Sequence, residues 1–201
     1  MRPVLLVALA ALAAPAVAQH HGGSHGGAHA APGVAEVFAV DGLRVDEADP
    51  PPGSAVGRAG LRFSDGGYVS VVYGKPYARG RTVYGGLVGY GQVWVGGAHR
   101  ATELATTVPL TVGGVRVEPG VYALFVTPQP HGWTLHVNGA PGQHLADEYD
   151  VATDLATVAV VPTVLGAPVE ALAWSFADDG RALRLAWGPL AASFPIARAD
   201  R

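Results

Sequence analysis

The sequence predicts an all-β protein, an antiparallel β-sandwich or jelly-roll-like fold of about eight to ten short strands with a disordered N-terminal tail. Three observations predict it. Glycine and proline are abundant, 28 and 16 of 201 residues, and they punctuate short Val-rich runs. Those runs tend to alternate apolar and polar residues with a period of two. Beyond the first eighteen residues no stretch keeps a helical period, and no fixed internal repeat points to a propeller or solenoid. A charged fraction of 14% argues against a disordered chain or a long coiled coil, and a net charge of −3 excludes a generally basic nucleic-acid binder.

Residues 1–18 read as a secretory signal peptide. Arg2 supplies the positive start, residues 4–14 are apolar, and Ala16-Val17-Ala18 is a small-x-small cleavage site. The apolar run is too short to span a bilayer, so no membrane span is expected. The chain has no cysteine, which rules out a lipoprotein anchor and any disulfide. An exported protein, periplasmic or extracellular, is the expectation.

Residues 19–33 form a Gly/Ala/His tract that cannot build a core. Its His20, His21, His25 and His29 are candidate ligands for Cu or Ni. A free amine at Gln19 with His at the third position suits a square-planar metal, unless Gln19 cyclises; a solubilising linker is the simpler reading. No other cofactor is indicated. Residues 34–57 read as a short strand (34–40) followed by a linker with three consecutive prolines, Pro50 to Pro52.

The sandwich itself is expected over 58–196, followed by a tail at 197–201. Val69, Val71 and Tyr73 mark a strand. Gly113-Gly114 joins 110–112 to 115–117 as a two-residue hairpin. Pro119-Gly120 then turns the chain into 121–127, apolar on both faces and therefore central. Trp133, Leu135 and Val137 alternate inward up to the Asn138-Gly139 turn. A strand follows at 157–161, then another with Leu172, Trp174 and Phe176 inward. Asp178-Asp179-Gly180 is a hairpin turn rather than a catalytic carboxylate pair, and Leu183, Leu185 and Trp187 define the next strand. The run 193–196 is expected at a sheet edge, since Pro195 lacks an amide donor.

Residues 73–102 differ from the rest. From Gly66 through Thr102 there is no acid, but there are Lys75 (the only lysine), Arg79, Arg81 and Arg100. Four of the seven tyrosines and Trp94 share the segment, and six glycines fall between positions 85 and 97. Arginine beside aromatics can grip a carboxylate or phosphate while its plane stacks. A glycine-rich connection that merely crosses the sandwich, with Tyr and Arg satisfying loop carbonyls, would show the same composition.

The segment's Tyr73, Pro76, Gly80-Arg81, Tyr84-Gly85-Gly86-Leu87-Val88, Tyr90-Gly91, Val93-Trp94 and Gly97-Ala98 resemble the bacterial domain of unknown function family 2911. The resemblance extends over about 55–196 and implies an exported β-rich domain without an established activity. Lys75 stands where the family tends to have Arg, Val95 likewise, and His99-Arg100 replace an Asn-Glu pair. If that pair grips a ligand, its charge is reversed here.

No nucleophile elbow, zinc-protease helix, phosphate loop or dinucleotide fingerprint is present. His144, Asp147 and Glu148 form a polar cluster that reads as a solvated loop rather than a metal site. Besides Cu or Ni handling by the His-rich N-terminus, two functions remain. One is a non-enzymatic module binding an anionic or carbohydrate-like envelope ligand through Tyr73, Lys75, Arg79, Arg81, Tyr84, Trp94, His99 and Arg100. The alternative is a hydrolase-like enzyme with His99 as general acid or base and Glu103 as its partner. The first requires convergence on one open face, and the second a concave pocket with His99 inside.

Overall fold

The computed structural model describes residues 33–41 and 53–200, with backbone alone at 39–41. The leader, the tail histidines and most of the proline linker lie outside the described residues. Eleven strands are found among those described: β1 (Val34–Asp41), β2 (Ala55–Phe63), β3 (Tyr68–Lys75), β4 (Thr102–Thr106), β5 (Leu110–Val112), β6 (Val115–Val117), β7 (Gly120–Gln129), β8 (Gly132–Asn138), β9 (Asp154–Val160), β10 (Thr163–Phe176) and β11 (Ala182–Arg198). The only helical elements described are two single 3₁₀ turns, Ala146–Glu148 and Val151–Thr153. No described helix is long and apolar enough to cross a membrane.

Two antiparallel sheets result, as the alternation requires. The seven-stranded sheet has the order β1-β2-β3-β4-β7-β8-β9, and the four-stranded sheet β10-β11-β5-β6. The first is a meander, interrupted when the β5–β6 hairpin leaves to extend the other sheet. Gly113 and Gly114 make that hairpin possible because both turn residues need positive φ, +57° and +88°. The inner faces meet in one core: Leu104, Leu124, Trp133 and Leu135 from the larger sheet pack with Leu172, Trp174, Leu185 and Phe194 from the smaller, each at most 1% exposed. Each such side chain contributes roughly 1.5–3 kcal/mol, so the core can hold the fold without a disulfide.

Several boundaries differ from expectation. β1 pairs with β2 along the edge of the large sheet, and β2 begins at Ala55, inside the stretch read as linker. The last two strands are long, 14 and 17 residues. Residues 193–196 are not an edge: β11 pairs with β10 up to Ala191 and with β5 from Ile196 to Arg198. Pro195 falls between the two pairings, where no amide donor is needed. The expected tail at 197–201 is therefore partly strand.

β7 is central, and buried on both faces for a reason beyond its neighbours. Leu124 and Val126 point into the main core. Ala123 and Phe125 point outward, into a second small cluster with Val95 and Ala101. The connection from Lys75 to Thr102 lies over the outer face of the sheet there. It bridges to β10 at Tyr77–Ala171 and to β7 at Trp94–Val126, so one long loop ties both sheets.

Candidate functional site: two clefts along a glycine-rich crossing

The crossing loop lies close on the sheet because Gly74 has no side chain. A Cβ at that position would overlap the Ala98 carbonyl. Two indoles then fix the loop: Trp174 Nε1 donates to the Gly96 carbonyl at 2.7 Å and Trp94 Nε1 to that of Gly97 at 2.9 Å. The Ala101 and Thr102 amides donate to the Gln143 and Val95 carbonyls, 3.0 Å each. Between these anchors His99 is held at φ +71°, a left-handed conformation that non-glycine residues adopt at a cost.

His99 and Arg100 are exposed on the rim of a cleft of about 230 Å³. Its floor is the outer face of β2–β4. Val72 and Glu103 stand opposite one another across β3 and β4, and Val56 completes an apolar wall, 55% exposed. Glu103 is oriented by the Gly142 amide, which donates to Oε1 at 3.1 Å. The His99 and Arg100 side chains have no partner among the described residues, and neither is hydrogen-bonded to Glu103. The cleft thus presents the His99 imidazole and the Arg100 guanidinium together with the Glu103 carboxylate, unpaired with each other. A general-base role for His99 would need Glu103 to reach the imidazole, and here its Oε1 is held by Gly142.

Gly142 is placed by a network that no sequence pattern disclosed. His136 Nδ1 lies 2.9 Å from Asp154 Oδ2 and its Nε2 lies 2.9 Å from Thr127 Oγ1. Tyr149 Oη donates to the same Asp154 oxygen at 2.6 Å. Burial and that carboxylate hold the Tyr149 phenol well above its usual range. Asn138 donates to Asp154 Oδ1 at 2.9 Å, while its own oxygen accepts from Ala140 N and Gln143 Nε2, 3.1 Å each. The network fastens the 139–153 loop to the sheet, and with it Gly142 and Gln143.

The second cleft, about 530 Å³, lies where the crossing begins, against β10 and β11. Arg81 is anchored to its own loop, with Nε and Nη2 donating to the Ala78 and Tyr77 carbonyls at 3.0 and 2.9 Å. Tyr84 is 6% exposed, its ring 4.4 Å from that of Trp133. Desolvation, then the neighbouring Tyr90, raises the Tyr84 phenol far above its usual range. Neither Tyr84 Oη nor Trp133 Nε1 has a partner among the described residues. Val83, Val169, Pro168 and Leu190 provide the apolar lining.

The eight candidate residues do not converge on one face. Tyr73, His99 and Arg100 line the first cleft, Arg81 and Tyr84 the second. Tyr73 and Tyr84 are buried, and Tyr73 lies across Gly57. Trp94 is half-buried and stacks on Trp187 at 5.9 Å. Arg79, at φ +50°, lies over the Tyr77 ring while its amide donates to Glu170 Oε1 at 2.7 Å. Lys75 closes β3, paired in register with Ala55. The histidines considered for Cu or Ni (His20, His21, His25, His29) lie outside the described residues, and among those described no three His, Asp or Glu residues are grouped to hold a metal. In the polar cluster, the His144 amide donates to Glu148 Oε2 at 2.8 Å, and Asp147 is exposed.

Fold and crossing together define a β-sandwich domain with clefts on either side of a pinned loop. A model of the family described as a protein of unknown function (DUF2911) matches residues 59–196, more than half of the chain, and the chain belongs to that family. No curated protein and no solved structure gives a significant match. The motif residues Tyr84, Gly85, Gly86, Val88, Trp94 and Gly97 build the crossing itself, whereas the departures His99 and Arg100 stand exposed at the first cleft.

Proposed function

We propose that the protein is an exported, non-enzymatic binding module for an anionic, carbohydrate-like envelope component, taken up in the cleft beside His99. The observation that supports this reading is the pair of unpartnered side chains, His99 and Arg100, on a loop pinned by two indoles. Their hydrogen-bond donors meet a ligand anion, and the strain at His99 is of the kind retained where a side chain must be aimed. The free oxygen of Glu103 accepts from a ligand hydroxyl, and the walls formed by Val56 and Val72 suit the apolar face of a sugar ring.

Thermal unfolding of the mature protein with glucuronate, and with glucose as the neutral counterpart, tests it. Glucuronate raises the melting temperature by mass action and glucose does not. His99→Ala and Arg100→Ala each remove the shift. Equal responses to the two sugars, or a glucuronate shift that survives both substitutions, would overturn the reading. N-terminal sequencing of the exported product checks the leader, with Gln19 or its cyclised form as the expected first residue.

A further inference from the structure

We propose that the cleft at Arg81 is a second, separate site, and that it binds a small carboxylate carrying an apolar body. Its volume, about 530 Å³, lies within the ~300–1,000 Å³ usual for small-molecule sites, and such sites combine apolar walls with a few fixed polar groups. The walls here are Val83, Val169, Pro168 and Leu190.

The polar groups select an anion. A guanidinium has five N–H donors. Nε and one hydrogen of Arg81 Nη2 are used by the Ala78 and Tyr77 carbonyls, which fixes the plane. What remains is the end edge, both hydrogens of Nη1 and the second of Nη2, with no partner among the described residues. That edge matches the two oxygens of a carboxylate. Glu170 also lines the cleft, but its Oε1 already accepts from the Arg79 amide at 2.7 Å. The second Glu170 oxygen stays open, so the preference for an anion rests on the open Arg81 edge and not on a lack of acceptors.

A second observation points to a ligand independently. Tyr84, among the lining residues and 94% buried, has a hydroxyl without any partner described, and a buried unpaired hydroxyl is costly. Tyr90, 42% exposed, lines the same cleft. A carboxylate on the Arg81 edge gives the Tyr84 O–H an acceptor, and the apolar chain then runs along β10 and β11.

Calorimetric titration of the mature protein with octanoate and with octanamide tests the assignment. Octanoate binds at least about tenfold more tightly, because only it makes charge-assisted bonds. Arg81→Gln abolishes the difference. Tyr84→Phe, which removes one oxygen and leaves the packing in place, weakens octanoate severalfold. Equal affinities for the two probes, or octanoate binding unchanged in both variants, would overturn the proposal. His99→Ala leaves octanoate binding intact, and its loss in that variant would equally overturn a separate site. Failure of glucuronate to bind at His99 has no bearing on this result.

Discussion

The two clefts flank one loop, yet they are built by opposite means. At His99 the loop's backbone anchors are met: indole N–H groups reach the Gly96 and Gly97 carbonyls, and the main cost is stored in backbone conformation at φ +71°. Thr102 Oγ1 and Gln143 Oε1 nearby are nevertheless buried without a described partner. At Arg81 the one cation lining the cleft is tied down by two carbonyls, and the cost is the buried Tyr84 phenol of the same cleft, without a described partner. The difference teaches that a glycine-rich crossing can hold a site either by strain in the chain or by an unmet hydrogen bond. Each kind responds to a different substitution.

The sharpest break is Trp174→Phe. It leaves a void beside Phe194 and removes the 2.7 Å donor to the Gly96 carbonyl, which becomes a buried orphan. Cavity and lost bond together should cost about 3–4 kcal/mol in urea unfolding. Glucuronate binding should fall more than octanoate binding, since only the first cleft depends on that anchor. Gly74→Ala should cost about 2–3 kcal/mol, because its Cβ meets the Ala98 carbonyl and the pinned loop cannot withdraw. A cost near zero would show that the loop is not held down.

Two milder substitutions should stabilise, for different reasons. His99→Gly relieves the left-handed conformation, partly offset by the greater freedom of glycine in the unfolded chain, for a net gain of about 0.5–1 kcal/mol with loss of glucuronate binding. Tyr84→Phe removes a buried hydroxyl without a described partner and should be neutral or stabilising by up to about 1 kcal/mol in ligand-free protein. A loss of stability in Tyr84→Phe would mean that the hydroxyl is already satisfied. Both gains follow the usual exchange of stability for function at binding sites.

The parts of this arrangement readable in the sequence were those with local physics. Alternation at Trp133, Leu135 and Val137 and the Gly113-Gly114 turn depend on neighbours within a few residues, and both are as expected. The same holds for β7, although its burial on both faces needed a covering loop that no local pattern reveals. Pro195 was misplaced because an edge and a change of pairing partner ask the same thing of an amide. The candidate cations and aromatics were found by composition, but composition cannot sort them. Tyr84 went to the core and His99 to the rim because of residues as distant as Trp133 and Gly142. The His136–Asp154–Tyr149 network was missed for that reason too: its members lie on separate strands and a loop, and nothing in their spacing links them.

The smallest effect lies far from both clefts and separates fold stability from site behaviour. Arg198 near the end of β11 makes a two-pronged pair with Asp65 in the β2–β3 turn, 2.8 and 2.7 Å, and its guanidinium lies over the Phe63 ring at 4.9 Å. The Arg198 hydrogen bonds, helped by the Gly67 amide, lower the Asp65 carboxyl to about 2. A carboxyl depressed on folding stabilises at any pH above its unfolded value, about 3.9, and that contribution fades as pH falls toward about 2. Asp65→Asn should therefore melt below the unsubstituted protein at pH 6, with the gap closing between about pH 4 and pH 2. Because Asp65 is solvent-accessible, the gap should also shrink in high salt. His99→Ala and Arg81→Gln should leave the closing of that gap unchanged when combined with Asp65→Asn. If either alters it, the two clefts are coupled to the strand ends, and the contrast between them is not local to the crossing loop.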